Sequence, residues 1–192
     1  MLSEEKKIKS KAQLKEYIDA DCARYPLYGR RYLSYFLQLS EGAIIRKHMV
    51  MLRKTEYYIN TGKKFREFIY RARLMHFQNK HCIHIPLNVC GKGLYIPHVF
   101  PVGMNGNVTV GENCRMMPFA KLAGDDTIDK APTIGNNVTL GIDCTVVGDV
   151  YLADGITVGA GAVVTKSFYE PGINIAGIPA RKVGGNKPAK EE

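Results

Sequence analysis

The 192-residue chain is expected to be mainly β, a solenoid of short parallel strands built on six-residue repeats and preceded by an α-helical N-terminal domain. Three observations predict this. Apolar side chains recur at every sixth position from Val110 through Met116, Leu122, Ile128, Ile134, Leu140, Val146, Leu152 and Val158 to Val164. In a chain that is 45% apolar, such an unbroken run in one preset phase would arise by chance about once in three thousand chains. A second set lies four residues on: Cys114, Ala120, Val138, Cys144, Val150, Ile156 and Ala162 are small or β-branched, with interruptions at Asp126 and Pro132. Upstream of residue 80 the apolar spacing is instead three to four residues, the period of a helix face.

A period of six fits neither a helix nor a flat strand. It fits a short strand followed by a sharp turn, with three such sides closing one coil. Gly135, Gly141, Gly148, Gly155, Gly159 and Gly161, with Asn136 and Asn137, would give the corners their positive φ angles. Successive coils would stack about 4.8 Å apart, with the sixth-position side chains piled into an inner ladder. The pattern leaves the hand of the coil open.

In chain order, residues 1–80 form the helical domain. Ile8, Leu14, Tyr17 and Ile18 mark a helix within residues 1–20, and Tyr25 to Tyr28 a break. Residues 30–39 predict a buried helix capped at Gly42, and helices follow at Ile44 to Asn60 and after Gly62, through Phe65, Phe68, Ile69, Ala72 and Met75. The coil domain covers residues 81–183. Ile96, Val102 and Val108 keep the six-residue step but are offset by two from the main ladder, which places an insertion at Met104 to Asn107. The weak ladder positions Asp126 and Pro132 place a loop over residues 123–133. Residues 184–192 are a polar tail.

No apolar run reaches the ~18 residues of a membrane span, and no cleavable leader is evident, so a cytoplasmic location is expected. Five cysteines without a secreted framework agree with a reducing compartment, and Cys114 and Cys144 read as small hydrophobes of the inner ladder. The net charge of +9 is concentrated: residues 46–80 hold ten Lys or Arg against Glu56 and Glu67. Most such runs are solvated helix faces. Peripheral contact of 46–80 with the inner face of a membrane is left open, and no nucleic-acid partner is expected, because no recognition motif accompanies the charge. His76, His81, Cys82, His84 and Cys90 match no zinc module, so no metal is predicted.

Ile134-Gly, Leu140-Gly, Val158-Gly-Ala-Gly-Ala-Val-Val164, Thr165-Lys166 and Ala176-Gly-Ile-Pro-Ala-Arg181 resemble the hexapeptide-repeat acyltransferases. Gly91-Lys-Gly-Leu-Tyr-Ile-Pro-His98 is similar to the segment around the catalytic histidine of serine O-acetyltransferases. Asp129-Lys-Ala-Pro-Thr-Ile-Gly135 resembles relatives from bacterial surface-polysaccharide gene clusters. With Arg53 to Asn60 included, the likeness covers most of the chain. It implies a left-handed parallel β-helix, a homotrimer with pairing of trimers left open, and acetyl-CoA as acyl donor in the groove between neighbouring β-helices.

The resemblance makes His98 the catalytic base. A neutral imidazole can take the proton of an acceptor hydroxyl and return it to the departing thiolate, while backbone amides hold the oxyanion. Lys166 and Arg181 match family positions that meet the phosphates of CoA. Gly159, Ala160 and Gly161 would let the pantetheine arm approach the backbone, with Gly141, Ile142 and Thr165 lining the same groove. The chain departs from the serine-enzyme pattern at Pro97, where Asp is typical, and at Met117 and Ala131, which stand where relatives carry histidines. These departures turn the expectation towards a sugar hydroxyl of a capsule or lipopolysaccharide precursor as acceptor. L-serine is the alternative acceptor, and a catalytically silent trimeric β-helix serving binding or assembly is the alternative outside enzymology.

Overall fold

A computed structural model of the chain describes residues 2–26, 37, 40–125 and 130–185. The expected helix at 30–39 lies outside the described residues, apart from residue 37. A short 3-10 turn, Glu4–Lys6, precedes helix α1, Lys11–Cys22. Ser10 starts α1 through a capping box: its Oγ accepts from Gln13 N at 3.1 Å, and Gln13 Oε1 accepts from Ser10 N at 3.0 Å. Helix α2, Glu41–Asn60, begins at Ser40, whose Oγ accepts from Ala43 N. Gly42 therefore lies in the first turn of α2 and caps no preceding helix. Helix α3, Lys64–His81, ends where Cys82 turns left-handed at φ 56°.

Thirteen strands follow among the described residues, β1 (Ile83–His84), β2 (Val102–Met104), β3 (Thr109–Val110), β4 (Arg115–Met116), β5 (Lys121–Ala123), β6 (Thr133–Ile134), β7 (Thr139–Leu140), β8 (Thr145–Val147), β9 (Tyr151–Leu152), β10 (Thr157–Val158), β11 (Val163–Val164), β12 (Ile173–Ala176) and β13 (Arg181–Gly185). They form three sheets, β1-β2-β5-β8-β11, β3-β6-β9 and β13-β12-β10-β7-β4. Every pairing is parallel except β12 with β13. The chain visits the first, second and third sheets in turn, so the molecule is a three-sided prism. The final strand carries order to Gly185, two residues beyond the expected domain end, and the rest of the tail lies outside the described residues.

Register explains the ladder and corrects two readings of it. Ile134 pairs with Leu152, Leu140 with Val158 and Val146 with Val164, which makes a regular coil eighteen residues long. Leu122 pairs with Val146 and Val110 with Ile134, a coil of twenty-four. One whole repeat between Leu122 and Ile134 therefore leaves the wall as a loop, closed by the antiparallel bridge of Asp125 with Lys130. The ladder hit at Ile128, itself outside the described residues, is coincidental. The two-residue slip is also displaced. Met104 already pairs with Leu122 on the main phase, whereas Tyr95 pairs with Arg115 and Cys90 with Val110, each twenty residues on. The extra residues thus lie at Pro97–Pro101, not at Met104–Asn107, and they widen the corner that carries His98.

The glycines divide into two groups. Gly148, Gly155 and Gly161, like Asn137, have positive φ as expected. Gly135, Gly141 and Gly159 do not; they sit directly after ladder residues, where the next coil comes closest. A Cβ at Gly141 would lie 2.5 Å from Val158 O, so stacking, not backbone freedom, excludes a side chain there. Cys114 and Cys144 are buried in the ladder, and burial pushes their thiols up to about 11 and about 12.

One continuous core joins the helices to the coils, running from Ile45, Met49, Leu52 and Phe77 of the helices into Ile83, Val89, Leu94 and Ile96 of the first coil. At its centre Arg53 is fully buried. Its Nε donates to Asp21 at 2.7 Å, one terminal nitrogen donates to Glu56 at 3.0 Å and Cys90 O at 2.9 Å, and the other to Gly91 O at 2.7 Å. The carboxylates accept in turn from the first coil's amides: Asp21 from Gly93 at 2.7 Å and Leu94 at 3.1 Å, Glu56 from Asn88 at 2.8 Å.

Replacing Arg53 by Met leaves two buried carboxylates uncompensated and should cost about 3–5 kcal/mol in urea denaturation. Adding Asp21→Asn and Glu56→Gln should recover part of that loss. A cost below about 1 kcal/mol for the single change would remove the network from the account of stability. A second prediction concerns His48, fully buried on α2 beside Gln78, with burial pushing its imidazole from 6.5 down to about 3. The unfolded chain takes up a proton there that the folded chain refuses, so stability should decline as pH falls below 6.5 towards 3. His48→Gln should flatten that decline when unfolding is measured across the same range.

Candidate functional site

His98 lies on the widened corner between the third and first sheets. Its neighbours on that edge follow from the register, since Met116, Leu140, Val158 and Ile175 stack in the third sheet and the residues after each turn the same corner. The column above His98 is therefore Met117–Phe119, Gly141–Asp143, Gly159–Gly161 and Ala176–Ile178. Corner-to-corner hydrogen bonds tie it together: Phe119 N to Pro101 O at 3.2 Å, Asp143 N to Pro118 O at 2.9 Å, and Gly161 N to Ile142 O at 2.8 Å.

This edge is apolar and open. Phe100, Phe119, Ile142 and Ile178 all expose large apolar surfaces along it. The Phe100 ring lies 5.2 Å from Phe119 and 6.2 Å from the His98 imidazole, centre to centre. A Cβ added at Gly161 would meet nothing within 4 Å, which leaves room for a chain-like ligand against the backbone. With coils about 4.8 Å apart, Gly141 and Gly159 lie roughly 10 and 14 Å up the edge from the His98 coil.

The imidazole has a partner that no local pattern singles out. His98 Nδ1 donates to Glu41 Oε2 at 3.0 Å. Glu41 opens α2, fifty-seven residues earlier, and nothing beyond a helix-start pattern at Ser40-Glu41 marks it. A carboxylate on Nδ1 fixes the proton there and leaves Nε2 as a lone pair for an incoming hydroxyl. The dyad is half-exposed on both sides, so a reacting group has access.

Seven of the sequence-nominated residues share or end this edge: His98, Gly141, Ile142, Gly159, Ala160, Gly161 and Arg181. Arg181 pairs with Ala176, next to the Gly159 corner, and is exposed at the top of the column. Thr165 and Lys166 do not share it. They follow Val164 of the first sheet and turn the next corner, where Lys166 Nζ sits 5.5 Å from the Phe168 ring centre. The loop after Ala123 also leaves from that next corner, between the first and second sheets. Among the described residues, no group of three His, Cys, Asp or Glu side chains is arranged to hold a metal ion. None of their helices is long and apolar enough to cross a membrane.

Residues 131–166 match the bacterial transferase hexapeptide (six repeats) family model. A serine acetyltransferase of Synechococcus elongatus is 28% identical over 95 residues, covering 48% of this chain and 38% of that protein. One of Buchnera aphidicola is 24% identical over 135 residues, covering 68% of this chain and 48% of that protein. The chain thus spans less than half the length of these relatives. Among solved structures, Neisseria gonorrhoeae serine acetyltransferase superposes with a TM-score of 0.67 at 21% identity, covering 94% of this chain and 70% of that one. Brucella abortus serine acetyltransferase in complex with coenzyme A gives 0.62 at 22% identity, covering 91% and 67%. With the parallel sheets, these likenesses establish a left-handed parallel β-helix with an N-terminal helical region.

If His98 acts as the base of an acyl transfer, Glu41→Ala should lower kcat about tenfold or more while leaving KM for the acyl donor unchanged, because the change loosens the imidazole without touching the edge at Gly141 and Gly159. A rise in that KM at constant kcat would contradict this placement.

Proposed function

We propose that the chain is an acetyl-CoA-dependent O-acetyltransferase in which His98 is the general base. The observation that carries the reading is the Glu41–His98 dyad at the foot of an open apolar edge lined by Gly141, Ile142 and Gly159 to Gly161. Acetyl-CoA would supply an activated acetyl group as its thioester. The chain's own groups do the rest. Nε2 of His98 takes the acceptor hydroxyl's proton as the oxygen bonds to the acetyl carbon, Glu41 steadies the cationic imidazolium, and the proton then passes to the departing thiolate. Arg181, exposed at the end of the edge, suits the phosphates of the donor.

L-serine is the acceptor we favour. The relatives and structural neighbours are named serine acetyltransferases, two of them solved in complex with serine, and none of those described is named for a sugar substrate. This preference reverses the expectation of a capsule or lipopolysaccharide sugar drawn from Pro97, Met117 and Ala131. Glu41 bears on the first of these, because it offers a carboxylate at the histidine where the adjacent acid is missing. We further propose a homotrimer, in which the corner carrying Thr165 and Lys166 on one subunit faces the His98 edge of its neighbour and completes the groove. A cytoplasmic location accords with this chemistry.

Thiol release from acetyl-CoA, followed with L-serine and separately with sugar nucleotides, tests the acceptor. Turnover with serine that falls about 10²–10⁴-fold in His98→Ala is the expected result. Turnover only with a sugar would overturn the acceptor, and serine turnover unaffected by His98→Ala would overturn the base. No thiol release with any acceptor would favour the silent binding or assembly subunit.

A further inference from the structure

The outer face of α3 has no use in acyl transfer and an unusual composition. Leu74, Phe77 and Gln78 are its buried residues. On the opposite side Phe65 is 77% exposed, Phe68 73% and Met75 57%. At 100° per residue, Phe65, Phe68, Ala72 and Met75 fall within about 80° of arc, a single stripe pointing to solvent. Cations border it on both sides: Lys64 and Arg71 along one margin, Arg66, Arg73 and Lys80 along the other. The helix has one acid, Glu67, and both Arg71, at 3.2 Å, and Lys64, at 3.6 Å, already engage it. Beside the stripe, α2 and α3 flank an open recess of about 420 Å³ in which Lys47, Arg73 and Lys80 stand around the apolar walls of Met51 and Phe77.

We propose that this face of α3 docks on an anionic lipid surface, with the Phe65–Phe68–Met75 stripe entering the acyl boundary and the flanking cations meeting phosphates. The arrangement of charge selects that occupant. A second copy laid stripe to stripe would oppose two rows of cations with no acid free to compensate. A nucleic-acid backbone would need cations at the centre of the contact, where this face presents phenyl and thioether groups. An interfacial helix needs the opposite order, apolar residues at the centre and long basic side chains reaching outward at the margins, which is the order observed. That recess gives one lipid phosphate a position between Lys47 and Lys80. Not every cation of the basic segment takes part, since Arg53 is committed to the core.

The test is flotation of the full chain with vesicles of phosphatidylcholine alone and of phosphatidylcholine with phosphatidylglycerol. Binding to the anionic vesicles at least about tenfold tighter than to the neutral ones is expected, and it should weaken with salt. Phe65→Ser with Phe68→Ser should reduce that binding about tenfold while the circular dichroism spectrum and melting temperature stay at wild-type values. Equal binding to both vesicles, or no binding, would overturn the proposal. So would anionic binding indifferent to the double Phe change or abolished by soluble glycerophosphate, either of which would mean phosphate capture without insertion. Sedimentation showing that the stripe is covered by a second copy, released by the double Phe change, would overturn it as well.

Discussion

The buried guanidinium of Arg53 is the constraint from which the placement of the site follows. The first coil of a stacked helix has no coil beneath it, so its outward carbonyls and amides need other partners. Arg53 takes the carbonyls of Cys90 and Gly91, and the carboxylates it holds, Asp21 and Glu56, take the amides of Asn88, Gly93 and Leu94. A buried ion pair contributes little net stability but is costly to break, which makes it better suited to fixing geometry than to raising the melting point. Here it fixes α2 against the coil. Glu41 and Arg53 share that helix, twelve residues and about 18 Å apart along its axis. The Tyr25 hydroxyl, which donates to Ile96 O and accepts from Ile96 N, holds the same coil just before the His98 corner. The dyad is thus assembled across the junction of helix and coil that the Arg53 network ties together.

Stacking imposes a different constraint on the rest of the prism. After the third-sheet ladder residues Leu140 and Val158 the next coil comes close: a Cβ at Gly141 would overlap its backbone, and one at Gly159 would lie 2.9 Å from the Ala176 Cβ. Left-handed corners two residues later are more permissive and hold Phe119, Asp143 and Gly161 on this same edge. A phenylalanine at φ 63° is an expensive way to turn a corner. It is retained where its ring continues the aromatic row from His98 through Phe100. Backbone requirements and the open apolar surface are therefore met by the same few residues.

How much of this was legible depended on whether the controlling interaction was local. The ladder, the three helices at their observed places, the buried cysteines and the loop after Ala123 all follow from periodicity, because burial alternates with backbone geometry at fixed steps. An insertion of one whole repeat preserves the phase, which is why the six-residue count runs unbroken through the loop expected at 123–133. The slip near His98 was legible in amount but not in position, since Val102 and Val108 are as well buried as the ladder itself. Glu41 could not have been found, because the hydrogen bond that matters spans fifty-seven residues and depends on how α2 is pinned. Arg53 illustrates the converse, a residue counted with a basic surface segment whose partners, apart from Glu56 one turn on, lie elsewhere in the sequence.

The division of the nominated cofactor residues between two corners bears on the proposed assembly. A three-sided prism presents three unlike edges, and a closed ring of three subunits joins unlike surfaces, each contact repeating the same head-to-tail pairing. A groove formed that way draws one wall from the His98 edge of one subunit and the other from a different edge of its neighbour. Thr165, Lys166 and the loop closed by Asp125 and Lys130 all turn the corner between the first and second sheets. In a single chain that corner cannot reach the dyad without crossing a sheet. In the proposed ring it would become the opposite wall, which would bring the loop closed by Asp125 and Lys130 on one subunit towards the dyad of the next.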